Sequence, residues 1–426
     1  MKNITTPPLL RKKQFIFLVL FFGLIIFDGY RIMVGTTFSI KPFLLICFLL
    51  LGWMASKRIL IPIHFGYFVL WYASLFIPLL FGSVLSWSQY LVILTGHALL
   101  TVFLLSAYNF VIYKQFKLID MFDAIVWLGL ICAIVGILQL LLFAVGINIG
   151  VSHFDDIGVP RAESFFSETD WHAMFVGYCL LAAYFIPPHS RFYAHKKYIL
   201  WTLAIALITS FGRTAILGVI VAFVLYKISL QSFQQNLSQL IRFCVVGIPI
   251  IFLALLLAPE SVITRFDIFS NLENPELDAG AINSRLFAIN MTLDFIQQNP
   301  FSGNGAGSLN YLAYNEEIRQ KYAYGGGINS GRGGTNIFLT ALFDAGIFGL
   351  LVLMLLLWKL IFTSYWYARF GQAEISYFLK FIFLGNIYFL VECQANNMIR
   401  MPICWINLTL FCYATLVSRQ AWQKCM

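Results

Sequence analysis

Hydropathy divides this chain into apolar runs of about 17–25 residues separated by short polar loops, and that pattern leaves few folds open. Inside a bilayer no water can satisfy a backbone N–H or C=O, so each spanning run must satisfy its own. Of 426 residues, 60% are hydrophobic and only 11% are charged, a balance no soluble domain has. The expectation is an all-α polytopic membrane protein of about 12 transmembrane helices, with a large, partly helical extracytoplasmic loop before the tenth span. Spans are expected near 15–32, 38–54, 63–80, 90–112, 119–147, 171–187, 198–210, 214–230, 241–258, 335–358, 376–392 and 402–417. The stretch 198–230 also reads as one broken hairpin. The start, Lys2 with Arg11, Lys12 and Lys13 before an apolar run from Phe15, resembles a signal peptide. It lacks a small-residue cleavage site and more spans follow, so an uncleaved first helix is expected.

Lysine and arginine set the orientation of such a bundle. Loops carrying Lys57/Arg58, Lys114/Lys117, Arg191/Lys196/Lys197, Lys227/Arg242, Lys359/Arg369 and Arg419/Lys424 alternate with loops poor in lysine. Both termini are therefore expected inside. Of the acids, only Asp120, Asp123 and Glu374 then fall inside, which supports the same orientation. The organisation expected is a transmembrane bundle over 1–258 with an outer loop at 148–170, an extracytoplasmic cap over 259–334, and a second bundle segment with a cytoplasmic tail over 335–426. The net charge of +9 sits mostly on the inner loops and has no basic domain to serve, so nucleic-acid binding is not expected.

The basic residues left outside are mostly arginines: Arg31, Arg161, Arg213, Arg265, Arg285, Arg319, Arg332 and Arg400, against Lys41 and Lys321. Guanidinium grips phosphate or carboxylate through two parallel hydrogen bonds, which ammonium cannot do. The outer face is therefore expected to hold an anion, most simply the diphosphate of a lipid-linked substrate. Arg161, Arg213 and Arg332 each precede an inward-running span, beside a helix N-terminus whose dipole repels a cation unless an anion lies between. Arg31 and Arg400 stand in similar places and read equally as headgroup anchors.

The first outer loop reads Arg161-Ala-Glu163-Ser-Phe-Phe-Ser-Glu168-Thr-Asp170-Trp171-His172. A sugar hydroxyl needs a base as it attacks, and Glu163 is the candidate. Glu168 and Asp170 also suit the N-terminal dipole, and His172, just inside a helix, reads as packing. In the cap, Ile282, Leu286, Ile289, Leu293 and Ile296 form one stripe of an amphipathic helix ended by Pro300, with Arg285 on the edge of the stripe. The loop with Gly303, Gly305 and Gly307 offers backbone amides to a phosphate or is a simple turn, and a further helix is expected near 308–324. Gly333-Gly334-Thr335-Asn336 reads as a flexible lead-in and cap for the tenth span. The eight cysteines lie mostly within spans, and neither they nor the six histidines show metal-ligand spacing, so no metal or other cofactor is expected.

The order of these parts resembles the O-antigen polymerase/O-antigen ligase superfamily of bacterial inner membranes, over roughly residues 120–360. The resemblance rests on the Arg-x-Glu loop at Arg161, the Ser210-Phe-Gly-Arg213-Thr-Ala turn, Arg285, the Pro300…Gly303-x-Gly305 break, and Thr335-Asn336 followed by Gly346-Ile-Phe-Gly349. In ligases of this group, His-Asn or His-Ser stands nine residues before Gly-x-x-Gly. Here nine residues separate Asn336 from Gly346, but Thr335 stands in place of the histidine. The serine and arginine of the turn are usually adjacent in the family and here stand two residues apart.

The missing histidine turns the expectation from a ligase to a polymerase. The resemblance implies a metal-independent glycosyltransferase that moves a growing glycan from undecaprenyl diphosphate to a lipid-linked repeat unit on the outer face of the inner membrane. Glu163, Arg213 and Arg285 would be catalytic; Arg161, Arg332, Glu168, Gly303, Gly305, Thr335 and Asn336 would bind substrate. Undecaprenyl-diphosphate-linked oligosaccharides, membrane lipid, a chain-length regulator and a flippase are the expected partners. The alternatives are a ligase acting on lipid A-core and, from another class, a flippase or transporter. Transporters commonly show inverted repeats and mid-membrane charges, whereas the charges here cluster at outer helix ends. The orientation is tested by cysteine labelling from outside: a probe at position 315 should react and one at 194 should not. The reverse pattern would overturn the orientation.

Overall fold

The computed structural model describes residues 8–27, 32–34, 38–152, 160–230, 279–322, 336–371, 373–395 and 401–423. A helix stands at each expected span except 241–258, which lies outside the described residues. The first part of the chain gives α1 (Pro8–Ile26), α2 (Pro42–Met54), α3 (Phe65–Ser74), α4 (Ile77–Leu80), α5 (Trp87–Tyr113) and α6 (Leu118–Ala144). Then come α7 (Thr169–Tyr184), α8 (Lys196–Thr209) and α9 (Arg213–Leu230). The cap contributes α10 (Ala279–Gln298), α11 (Ser308–Tyr314) and α12 (Glu316–Tyr322). The chain ends with α13 (Ile337–Phe370), α14 (Ala373–Ala395) and α15 (Pro402–Gln423). Two antiparallel ribbons complete the described structure, β1 (Ile32–Val34) with β2 (Phe38–Ile40) and β3 (Val151–Ser152) with β4 (Arg161–Ala162). Five described helices are long and apolar enough to cross a membrane: α5, α6, α9, α13 and α14. The chain is an all-α, multi-pass membrane protein.

Helix α7 is buried on nearly every side, and glycines let its neighbours approach. A Cβ on Gly129 of α6 would lie 2.3 Å from Cys179 Cβ, and one on Gly177 of α7 would lie 2.5 Å from the Tyr388 hydroxyl of α14. Gly218 of α9 faces the other side of the same tyrosine ring at 2.9 Å. With no hydrophobic drive between helices in lipid, close backbone packing and interhelical hydrogen bonds supply the attraction. Tyr388 donates to the Met174 carbonyl at 2.9 Å, Tyr178 donates to Asn407 at 2.9 Å, and Asn407 donates to Asn386 at 2.8 Å.

Polar contacts at the helix ends agree with the lysine and arginine alternation. At the end expected inside, Arg191 bridges Asp120 (2.9 Å) and Asp123 (3.1 Å) of α6, with its guanidinium 3.8 Å from the Phe15 ring centroid. Tyr113 there donates to the Arg58 carbonyl at 2.7 Å, and His64 meets Thr363 at 3.0 Å. At the opposite end, the Leu85 amide donates to the Asn304 carbonyl at 3.2 Å and Arg161 meets Ser210 at 2.9 Å. Each contact joins segments assigned to the same side.

The cap is seated on a break in α13. Ala345 (φ −139°) and Gly346 (φ +67°) leave helical geometry, which frees carbonyls on the preceding turn. The Asn304 amide takes the Phe343 carbonyl at 2.7 Å and the Gly305 amide takes the Asp344 carbonyl at 3.2 Å. In return the Ile347 amide donates to the Pro300 carbonyl at 2.9 Å. A Cβ on Gly346 would fall 2.0 Å from the Phe301 carbonyl oxygen, so no larger residue fits the junction.

Two cap expectations are corrected in part. Among the described side chains of α10, Ala288, Met291, Thr292 and the stripe residue Ile296 are buried, while the stripe residue Leu293 is 40% exposed; Ile282 and Leu286 lie outside the described side chains. Met291 and Ile296 cluster with Phe343 of the broken α13 and with Leu309 and Leu312 of α11. The helix expected over 308–324 is two short helices, because the Asn315 side chain accepts from the amides of Glu317 (3.1 Å) and Ile318 (3.3 Å) and starts a new one.

Overpacking the α7–α14 contact should cost about 1–3 kcal/mol. Gly177→Val should therefore lower the melting temperature of the detergent-solubilised protein, read by tryptophan fluorescence. Gly66→Ala, whose Cβ meets nothing within 4 Å, should leave it unchanged.

Candidate functional site

The segment after β4 is held by α6 and α7 from both sides. Ser164, at φ +53°, places its amide 2.8 Å from Gln139 Oε1 and its hydroxyl 3.1 Å from the Cys132 carbonyl. His172 Nδ1 lies 3.1 Å from the Ala162 carbonyl, and its ring is buried against α6, where a Cβ on Gly136 would meet it at 2.5 Å. His172 is thus a packing residue, as the sequence suggested. Phe165 stacks on Phe27 at 4.8 Å, and Phe166 packs on Phe27 and Phe175. Glu163 is fixed between these anchors: its amide donates to the Gly150 carbonyl at 2.9 Å and its carbonyl accepts from Phe166 at 3.0 Å. Its half-buried side chain has no hydrogen bond or ion pair among the described residues.

Arg161 is held by partners within the protein. Its residue is 5% exposed, and burial of a cation demands partners. Nε donates to the Ser210 carbonyl at 2.9 Å, and Nη2 pairs with the Asp170 carboxylate in the first turn of α7. The guanidinium ties the first outer loop and α7 to the turn between α8 and α9. Asp170, by contrast, keeps half of its side chain exposed.

That turn carries Arg213. Ser210 Oγ donates to the Leu207 carbonyl at 2.6 Å and accepts from the Gly212 amide at 3.3 Å, and Phe211 takes φ +52°. A Cβ on Gly212 would lie 2.4 Å from Ala173 Cβ, so the turn presses directly on α7. Arg213 is the first residue of α9, half buried, and stands at the same end of the bundle as Asp170 and Glu163.

The other expected site residues divide sharply. Glu168 is the N-cap residue of α7, with extended backbone. Asn336 caps α13 through Oδ1, which accepts from the Leu339 amide at 2.8 Å. Gly303 and Gly305 cannot cradle a phosphate through their amides: the first donates to the Asn299 carbonyl at 2.9 Å and the second to Asp344. Their positive φ, +74° and +89°, serves the junction with α13. Arg285 lies on α10, but its side chain is outside the described residues, as are Arg31, Arg332, Thr335 and Arg400.

Sequence reasoning missed Glu392. It is 2% exposed on α14, its Oε1 has no hydrogen-bond partner among the described residues, and it stands beside Tyr388 and within electrostatic range of Asp170. The signal was present, because an acid at the end of an apolar span is costly and rarely incidental. One end of the bundle thus gathers three carboxyl groups, Glu163, Asp170 and Glu392, with Arg161 and Arg213.

Carboxylates and guanidinium gathered at a helix N-terminus, in a multi-pass helical membrane protein, suit transfer between hydroxyl and phosphate-bearing groups. A family model described as O-antigen ligase matches residues 198–354, from α8 to the middle of α13. That stretch is consistent with a member of the O-antigen polymerase/ligase superfamily, the group the sequence resembles, whose members are glycosyltransferase-like enzymes. No curated protein matches the chain.

Removing the buried cation should loosen the site. Breaking a buried pair costs about 3–5 kcal/mol, and the exposure of Asp170 reduces that to about 2 kcal/mol. Arg161→Ala and Arg161→Lys should both lower the melting temperature, since lysine cannot reach Ser210 and Asp170 together. Asp170→Asn should lower it less. An Arg161→Lys protein as stable as wild type would show that the two-pronged contact is unimportant.

Proposed function

We propose that this chain is a polysaccharide polymerase of the O-antigen type. It transfers a growing glycan from undecaprenyl diphosphate to a lipid-linked repeat unit, with its site on the periplasmic side of a bacterial inner membrane. The observation that carries the reading is the meeting of two parts: the rigid Glu163 loop and the Arg213 turn, bound together by Arg161. The second part lies within the stretch matched by the family model, which supports the same reading.

In the proposed reaction the acceptor hydroxyl attacks the anomeric carbon of the donor glycan. The bond from that carbon to the diphosphate oxygen breaks, and the diphosphate leaves with the electron pair. Glu163 takes the hydroxyl proton, and Arg213 with Arg285 and Arg332 stabilises the charge on the departing diphosphate. The donor carries its own leaving group, so the reaction needs neither metal nor nucleotide sugar. A flippase would supply the donor and a chain-length regulator would act beside this protein.

The family model's description favours a ligase as the second reading, while Thr335, where ligases carry histidine, favours the polymerase. Deleting the gene and resolving surface polysaccharide on a gel separates them. Single-repeat caps on the lipid anchor are the expected result. Complete loss of polysaccharide from the anchor would mean a ligase, and inward-facing lipid-linked units a flippase. In complementation at matched expression, Glu163→Gln and Arg213→Lys should fail to restore long chains, and Thr335→Ala should restore them. Full-length chains from Arg213→Lys would show that positive charge alone suffices.

A further inference from the structure

Glu392 is the buried acid that the proposed reaction does not use. It lies near the end of α14, in a span, where a charge without a partner is costly. Two helical pairs set its place. Tyr388 and Glu392 stand at i and i+4 on α14, and Asp170 and Met174 stand at i and i+4 on α7, so each pair shares a helix face. Tyr388 donates to the Met174 carbonyl at 2.9 Å, which fixes the level of one helix against the other. One turn further along α14, Glu392 comes within electrostatic range of Asp170. That register, 388 against 174 and 392 against 170, is the register of antiparallel helices. The Tyr388 ring is pinned between Gly177 and Gly218, so the contact is not loose.

Hydrogen-bond accounting gives the state of the carboxyl group. A tyrosine hydroxyl has one proton to donate. Tyr388 gives it to Met174, so toward Glu392 the phenol oxygen can only accept. A carboxylic acid can donate to that oxygen, and a carboxylate cannot. Oε1 of Glu392 is buried with no hydrogen-bond partner among the described residues. The other titratable groups around Glu392 among the described residues are Asp170 of α7 and the Cys404 thiol of α15, neither of them a cation. An ionised carboxylate out of water, with no cation and an oxygen that accepts nothing, costs far more than a neutral acid. Two neighbouring carboxyl groups also resist ionising together, so one keeps its proton. Asp170 is the ionised member, because Arg161 holds it.

We propose that Glu392 is a positioning residue for the site: it carries a proton that it donates to the Tyr388 oxygen, and by staying neutral it leaves Asp170 charged for Arg161. The proton is thus part of what joins the first outer loop to the turn between α8 and α9. A charged Glu392 would push against the Asp170 carboxylate and weaken the hold on Arg161. The inference rests on this end of the bundle being the site, and not on which transfer takes place there.

Infrared spectroscopy of the full-length protein in nanodiscs, made with isotope-labelled glutamate, tests it. Wild type should show a carboxylic-acid C=O band that shifts with the label. Glu392→Gln should remove this band. Asp170→Asn should move it, because the facing charge is gone, whereas Glu317→Gln on the exposed side of the cap should leave it in place. Glu392→Gln, whose amide can donate to the same phenol oxygen, should keep the wild-type melting temperature, and Glu392→Ala should lower it. Absence of the band in wild type, its survival in Glu392→Gln, or its indifference to Asp170→Asn would overturn the proposal. A melting temperature as low in Glu392→Gln as in Glu392→Ala would do the same, since it would mean that the carboxylate is what the fold needs. None of these readouts needs turnover, so a deletion strain that keeps its long chains would sink the polymerase reading and leave this result standing.

Discussion

The pairing of Arg161 is the interaction on which the outer end of the bundle depends. A guanidinium out of water must find acceptors or the fold loses several kcal/mol. Arg161 finds them in two segments far apart in sequence, the Ser210 carbonyl at the end of α8 and the carboxylate of Asp170 in α7. The first outer loop, the α7 N-terminus and the α8–α9 turn thereby become one object. Glu163 and Arg213 are brought to one end of the bundle because Arg161 ties their two segments together.

A second constraint attaches the cap. A helix broken at membrane depth exposes carbonyls that lipid cannot satisfy, so the break at Ala345–Gly346 needs a protein partner. The Pro300–Gly305 segment supplies amides to Phe343 and Asp344, and takes the Ile347 amide in return. The glycines at 303 and 346 are a consequence: two backbones approach so closely that a Cβ would overlap the opposite chain. Movement of the cap would break hydrogen bonds with the tenth span, which couples cap position to the bundle.

Sequence legibility follows the range of the physics involved. Apolar runs are legible because the bilayer forces a helix wherever one stands, and inner and outer ends are legible because charge bias acts on each loop alone. The turn at Ser210–Arg213 and the cap at Asn336 are local as well. The pairing of Arg161 with Ser210 spans 49 residues and could not be read, so the arginine looked like a phosphate ligand. Gly303 and Gly305 looked like a phosphate cradle for the same reason, since the acceptor of the Gly305 amide lies on α13. On α10 the end of the stripe, Ile296, is buried as periodicity predicts, while Leu293 is exposed and Met291 takes part in the core with Phe343.

These corrections narrow the set of residues available to chemistry and sharpen the division of labour among the arginines. Planar, permanently charged guanidinium suits both of its uses here: it bridges two acceptors when buried, and it grips a diphosphate when presented to one. Arg161 does the first. Under the proposed function Arg213, at the start of α9 after a turn that presses on α7, would do the second. Glu392 adds a carboxyl behind Asp170, buried where Tyr388 fills the gap between Gly177 and Gly218. In the proposed reaction an acceptor hydroxyl and a lipid diphosphate would meet at this end of the bundle, where Arg161 joins the Glu163 loop to the Arg213 turn.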